Sequence, residues 1–206
     1  MFKDRVDAGK KLAKEIEKVK DKYVDPVVIT IPRGGVVVAN EVAKALNAPL
    51  DLIFIRRLEY NGKIIGSISE MGIVFLNKEL AADVDENELQ QIAIEAIQDM
   101  ARERDYYKHD PIMLEDKDVI IVDDGVVSGS SIYLTAQTIV RDKPRTVTIA
   151  TPVMPDNDEI KEMFHKSSHH LAVLHMPKDF MALAKWYDEF DEVSKKEVKE
   201  ILKNYV

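Results

Sequence analysis

From Val27 to His175 the chain repeats one pattern: a short run rich in β-branched apolar residues, a turn, then apolar residues at helical spacing. Val27–Ile31, Asp51–Leu58, Val119–Val122, Arg145–Thr151 and Leu171–His175 read as strands, the first a five-residue apolar run of the kind buried on both faces. Val36 to about Leu46, Ser130–Arg141 and Asp156–Lys166 read as the helices between them. Strands alternating with helices require right-handed crossovers, so the expected fold class is α/β, a mostly parallel sheet flanked by helices. An amphipathic helix over residues 4–21 precedes the first strand, with Val6, Leu12, Ala13, Ile16 and Val19 on one face, and Asp25-Pro26 ends it. Residues 85–107 form the longest helical pattern, opened by Asp85 with Glu88 three residues on, a variant of the capping box.

Two stretches depart from the alternation. Gly62–Asn77 carries Gly62, Gly66 and Gly72 among Ile64, Ile68, Ile73 and Phe75, and suggests a hairpin or mobile flap over about residues 59–77. The tail from Phe180 to Val206 reads as helical and aromatic, a small hood over about residues 177–206. With no repeat or linker in its 206 residues, the chain is expected to form one domain. Its 46% hydrophobic content is enough for one large core.

Charge and composition narrow the classes. A formal net charge of −8 argues against a general nucleic-acid binder, though not against a local site for a small anion. No apolar run approaches the roughly 18 residues of a membrane span, and Met1–Arg5 shows no signal-peptide pattern. With no cysteine present, a cytoplasmic protein is expected.

The segment Val119–Ser131 carries the chemistry. Four β-branched apolar residues end at the adjacent acids Asp123 and Asp124, followed by Gly125-Val126-Val127-Ser128-Gly129-Ser130-Ser131. In open α/β sheets ligands bind beyond the carboxyl ends of strands, which is where these acids fall. Gly125 and Gly129 allow close backbone approach, and the N–H groups of Ser128–Ser131 are free donors at a helix start, suited to a phosphate. Two carboxylates beside a phosphate cradle would repel the ligand unless they take hydroxyls or a hard cation such as Mg²⁺. A sugar phosphate with a metal satisfies both halves. Separately, Asp-Asp-Gly is an ordinary turn and Ser-Gly-Ser-Ser an ordinary cap; the thirteen residues together are far more specific.

This segment resembles the 5-phosphoribosyl-1-pyrophosphate (PRPP) signature of type I phosphoribosyltransferases. The resemblance extends over roughly Val27–Leu174, and is nearest to stand-alone members of unassigned substrate. It implies that Asp123 and Asp124 hold the ribose hydroxyls and the metal, and that Val126–Ser131 hold the 5′-phosphate. The family often has Thr-Gly-x-Thr in this loop; Ser128-Gly129-Ser130-Ser131 keeps a hydroxyl at both ends. Pro32-Arg33-Gly34-Gly35 is similar to the family's pyrophosphate loop, with Arg33 as its cation. Arg56, Arg57 and Lys63 lie where family members carry basic residues that reach pyrophosphate, sometimes across a dimer. Arg57 and Lys63 are then catalytic candidates together with the acid pair, while paired strand-end charges remain the other reading. Phe180, Trp186 and Tyr187 either stack on an acceptor base or pack the core.

The five histidines lack zinc-site spacing and read as surface residues. The implied activity is transfer of the phosphoribosyl group from Mg²⁺–PRPP to a nitrogenous acceptor, with no particular base specified. A homodimer and a place in nucleotide metabolism come with the resemblance, and no nucleic-acid or membrane partner is expected. Two alternatives stand beside it: a PRPP-binding sensor without turnover, and a receiver-like α/β domain using the acid pair for Mg²⁺. The hydroxyl-rich loop and the Arg33 turn count against the second.

Overall fold

The computed structural model describes Met1–Tyr205. The hood's expected last residue, Val206, lies outside the described residues. In chain order the main elements are α1 (Arg5–Glu17), β1 (Pro26–Thr30), α2 (Gly34–Leu46), β2 (Leu50–Leu52), β3 (Ile55–Tyr60), β4 (Lys63–Ser69) and β5 (Val74–Leu76). There follow α3 (Glu86–Tyr107), β6 (Asp118–Val122), α4 (Ser130–Ile139), β7 (Thr146–Val153), α5 (Asp158–Ser167), β8 (His170–His175) and α6 (Lys195–Leu202).

The large sheet is parallel throughout, in the order β2-β1-β6-β7-β8. Its strands are apolar at successive positions because both faces are covered. Val28, Ile120 and Ala150 point into a cluster with Leu12, Val36, Val42 and Met100. Their neighbours Val27, Ile29, Val119, Ile121, Val147 and Ile149 point the other way, onto Ile132, Ile139, Ile160 and Phe164 of α4 and α5. Helix α1 lies close against α2 because residue 9 is glycine: a Cβ there would be 3.0 Å from the Val38 carbonyl oxygen. That contact fixes where the first turn of α1 stands over the start of α2.

The strand expected over Asp51–Leu58 is two strands in two sheets. β2 ends at Leu52, the chain turns through Ile53-Phe54, and β3 opens a second, antiparallel sheet of order β3-β4-β5. The corner is held by Arg104 on α3, whose Nη2 donates to the Leu52 carbonyl and to Glu70 Oε1, while Nε donates to Glu70 Oε2, each at 2.7 Å. A two-pronged, charge-assisted clamp of this kind has strong directional preference. His109 departs from the surface placement expected of the histidines: it is buried beside this corner, with Nε2 3.4 Å from Asp51 Oδ1. β2 is buried at every position, whereas β3 mixes buried Ile55 and Leu58 with the more exposed Arg56, Arg57 and Glu59; the turn itself falls within the continuous apolar run Leu52–Ile55, which hides it.

The flap expected over residues 59–77 is this second sheet, and it has a core. Leu58, Ile65 and Ile68 are buried within the larger cluster. Asn61 and Gly62 both have positive φ, 49° and 74°, as a two-residue turn between right-twisted strands requires. Hydrogen exchange checks the consequence: amides of Ile65–Ser69 are protected without ligand, and those of Asn61–Ile64 at the exposed tip exchange fast and slow only on ligand binding.

Asp85 caps α3 by accepting from the Asn87 and Glu88 amides, while the Glu88 carboxylate takes the Tyr60 hydroxyl, so half of the expected capping box forms. The tail is less helical than its composition suggested. A short 3₁₀ turn spans Leu183–Trp186, α6 is opened by a full capping box at Ser194 and Glu197, and the stretch between is irregular. That stretch is tied to the other chain end: Phe2 N–H donates to the Trp186 carbonyl at 2.8 Å, and Asp188 and Glu189 N–H donate to Phe2 and Lys3 carbonyls at 2.9 Å. Among the described residues no helix is long and apolar enough to cross a membrane.

Candidate functional site

Strands β1 and β6 are neighbours in register, Thr30 opposite Val122, so the turns that leave them lie side by side. From β1 the chain connects towards β2 on one side; from β6 it connects towards β7 on the other. The crevice between such diverging crossovers is where ligands of doubly wound sheets bind.

The two loops touch. A Cβ on Gly35 would lie 2.6 Å from Asp123 Oδ1 and 2.6 Å from Thr30 Oγ1, and one on Gly34 would strike Asp124 Oδ2. The pair of glycines is thus required by the acids beneath it. Thr30 Oγ1 is buried and has no hydrogen-bond partner among the described residues. Neither α2 nor α4 has a side-chain cap, so the first N–H groups of both helices remain available to an anion.

Asp123, Gly125, Val126, Val127, Ser128, Gly129 and Ser131 line a cavity of about 160 Å³ together with Ile132 and Arg57. Ser130 faces the same loop through a 3.0 Å hydroxyl contact with Ser128. Gly129 is needed for its backbone, with φ 76°; its Cβ would point at Ile160 and Phe164, 3.2 Å away, and not into the cavity. A branched residue there would therefore disturb the core before it filled the cradle.

The acids are not equivalent. Asp123 opens on the cavity, and burial, then the neighbouring Asp124 carboxylate, push its carboxyl well above the usual carboxylate range. Burial pushes Asp124 up too, opposed by the Arg5 guanidinium, whose Nε donates to Asp124 Oδ2 at 2.6 Å. Arg5 Nη1 donates to the Asp191 carbonyl at 2.6 Å, and its guanidinium lies 3.8 Å from the Phe190 ring centre. Tyr187 donates its hydroxyl to the Asp124 carbonyl at 2.5 Å.

Strand alternation separates the two arginines of β3. Arg57 joins the cavity lining, while Arg56 turns to α3 and pairs with Glu103, with Nη1 donating to the Ile55 carbonyl at 3.1 Å. Arg56, expected to reach pyrophosphate, is thus engaged by Glu103 on the opposite face of the strand from Arg57. Lys63 is exposed beside the hairpin turn, opposite Tyr60, and is not part of the cavity lining. Arg33 reaches outward to pair with Glu192.

The hood aromatics are also redistributed. Tyr187 is buried between Phe2 and Phe190, with ring centres 5.4 and 4.9 Å away, so it supports the acid pair and offers no open face to a base. Trp186 is half-buried and stacks on His175 at 5.5 Å, and Phe180 is half-buried in the loop between β8 and Leu183. Leu183 packs directly on Gly125. Arg5, Leu183 and the Asp191 carbonyl were missed by sequence reasoning, since no local motif links any of them to a loop so distant along the chain.

Two adjacent carboxylates and a phosphate cradle suit a metal that arrives on a phosphorylated substrate, because Mg²⁺ takes one or two carboxylates and completes its shell with phosphate and water. Among the described residues no cluster of three or more His, Asp or Glu side chains could hold a metal by itself.

The model of the phosphoribosyl transferase domain matches residues 2–179. Two proteins of Mycobacterium tuberculosis, from strains CDC 1551 / Oshkosh and H37Rv and provisionally named phosphoribosyl transferases, are each 32% identical over 205 residues. The match covers 96% of this chain and 45% of each relative, so the chain spans about half the length of these curated relatives. The crystal structure of TT1426 from Thermus thermophilus superposes with a TM-score of 0.84 at 30% identity, covering 100% of this chain and 99% of that one. A purine phosphoribosyltransferase from Pyrococcus horikoshii shares the fold at a TM-score of 0.51 and 16% identity, over 92% and 93% of the two chains.

Proposed function

The chain belongs to the phosphoribosyl transferase domain family, and on that premise we propose that it transfers the 5-phosphoribosyl group of PRPP to a nitrogenous acceptor, most simply a nucleobase, releasing pyrophosphate. One observation carries the reading: the glycine turn Arg33–Gly35 and the acid-and-hydroxyl loop Asp123–Ser131 interlock at the ends of two adjacent parallel strands. That spacing suits a ligand with an anion at each end and a polyol between.

In the proposed complex the backbone N–H groups and hydroxyls of Val126–Ser131 hold the 5′-phosphate. Asp123 and Asp124 hold the ribose hydroxyls, and the N–H groups after Arg33 hold the pyrophosphate. The C1–O bond breaks with its electron pair leaving on pyrophosphate, and the acceptor nitrogen attacks C1 from the opposite face. Mg²⁺ bound to the substrate would neutralise charge on the leaving group, with the acid pair as its protein ligands. The chain's own part is positioning and charge stabilisation. Arg57 faces the sugar-phosphate loop from the antiparallel sheet and supplies the cation there. The acceptor side is assigned to the hood, whose Leu183 already touches Gly125. Both sheets share one hydrophobic cluster, which supports a single phosphoribosyltransferase-like unit. A homodimer, a cytoplasmic setting and a role in nucleotide metabolism belong to the same proposal through the family resemblance.

A screen of nucleobases with PRPP and Mg²⁺, scored by pyrophosphate release, tests turnover. With an acceptor in hand, Arg57→Ala lowers kcat about 10²-fold and raises the KM for PRPP less, as expected for charge stabilisation realised in the transition state. Arg56→Ala leaves kcat unchanged and lowers the melting temperature, because buried Glu103 loses its shortest ion pair and is left with Lys195, 3.6 Å away, and the Tyr107 hydroxyl. PRPP binding without pyrophosphate release from any base would instead favour the sensor.

A further inference from the structure

We infer that Arg5, at the start of α1, is a pyrophosphate-binding residue, with Nε holding Asp124 and Nη2 presented to the diphosphate of the substrate over Gly34. The inference rests on the PRPP reading above and deepens it. It comes from the placement of one side chain contributed by neither of the two loops.

The guanidinium abuts the glycine turn. Its Nε and Nη2 lie 3.0 and 3.1 Å from the position a Gly34 Cβ would take. Its orientation is set by three contacts: Nε to Asp124 Oδ2, Nη1 to the Asp191 carbonyl, and the ring of Phe190. The side chain is 12% exposed. These hydrogen bonds, the ones Arg5 makes among the described residues, use Nε and Nη1 and leave the two N–H groups of Nη2 for a ligand.

The comparison with Arg33 decides which arginine is the fixed cation. Arg33 belongs to the turn itself, yet its side chain is 38% exposed and paired with Glu192, which is 79% exposed. An exposed pair of that kind contributes little and is readily exchanged. Arg5 is held in place before any ligand arrives, and donors fixed in advance need little reorganisation on binding. The planar fork of arginine also suits a diphosphate, whose oxygens accept two parallel N–H bonds. The packing of Gly9 on Val38 places this fork, since it brings the first turn of α1 over the first turn of α2.

A purely structural role for Arg5, as counter-charge to buried Asp124, makes a different prediction. Calorimetric titration with Mg²⁺–pyrophosphate, ribose 5-phosphate and Mg²⁺–PRPP separates the two, using wild type, Arg5→Lys and Phe190→Leu. Lysine keeps a charge for Asp124 but has no second nitrogen for the ligand. Arg5→Lys is expected to weaken pyrophosphate and PRPP about tenfold, the loss of one charge-assisted contact, while ribose 5-phosphate stays within about twofold. Phe190→Leu removes the ring support with the charges intact, and is expected to give a smaller loss on the same two ligands; it carries the test if Arg5→Lys fails to fold.

Equal losses on all three ligands, or no loss on any, would overturn the inference while wild-type PRPP binding keeps the broader reading. Absence of PRPP binding by the wild type would overturn both.

Discussion

Asp123→Asn combined with Asp124→Asn weakens PRPP binding by about 2–4 kcal/mol, because charge-assisted hydrogen bonds to the ribose and ligation of the metal are lost together. Titration calorimetry measures it directly, and unchanged affinity would remove this loop from the site. The single change Asp123→Asn has a second expected effect, opposite in sign. In the free protein the Asp123 carboxyl is pushed up from its ordinary value of 3.8, by burial first and by Asp124 second. A carboxyl whose folded value is raised binds its proton more tightly in the native state than in the unfolded chain. Its contribution therefore falls as pH rises from the unfolded value towards the folded one, and stays low above that. An asparagine at this position has no charge to desolvate, so the Asp123→Asn variant melts above wild type at neutral pH and the gap closes as pH drops towards 3.8. A variant that binds less and melts higher is the usual mark of a residue kept for function at a cost in stability. If Asp123→Asn melts below wild type across the range, its carboxylate serves the fold.

Gly35→Ala is the other large effect. One methyl at residue 35 would sit 2.6 Å from Asp123 Oδ1 and Thr30 Oγ1 and 3.4 Å from Asp123 Cα. Thr30 is buried, and Asp123 is held by the loop that it opens, so neither neighbour can yield freely. Overpacking of this kind costs about 1–3 kcal/mol of stability. The larger consequence is for binding, since the acid must move by part of an ångström, and misplacement of about 1 Å can cost on the order of a hundredfold. We expect PRPP affinity to fall by about that factor while the circular dichroism spectrum is retained. Retained affinity would mean that the turn and the acid pair act independently.

Much of this protein could be read along the chain. Alternation of short β-branched runs with helical periodicity specifies a parallel sheet covered on both faces, because only that arrangement buries successive side chains of one strand. The acids at the end of β6 and the glycines at the end of β1 were legible because each loop's chemistry is carried by consecutive residues. The glycines of Gly62–Asn77 suggested a hairpin, and the structure forms its turn at Asn61 and Gly62, both with positive φ.

What the chain could not disclose depends on contacts between distant segments. The corner at Ile53-Phe54 is held by Arg104 and Glu70, and it falls inside the continuous apolar run Leu52–Ile55, where periodicity gives no sign of a turn. Arg56 and Arg57 look alike in sequence; their surroundings divide only when β3 places one side chain against Glu103 and the other beside the Asp123–Ser131 loop. Arg5 reads as one more charge at the start of an amphipathic helix. It becomes part of the site because Gly9 lets α1 close on α2, across 119 positions of sequence from Asp124. Local periodicity reports which way a side chain faces relative to its own element, and only the packed structure decides what stands there to meet it.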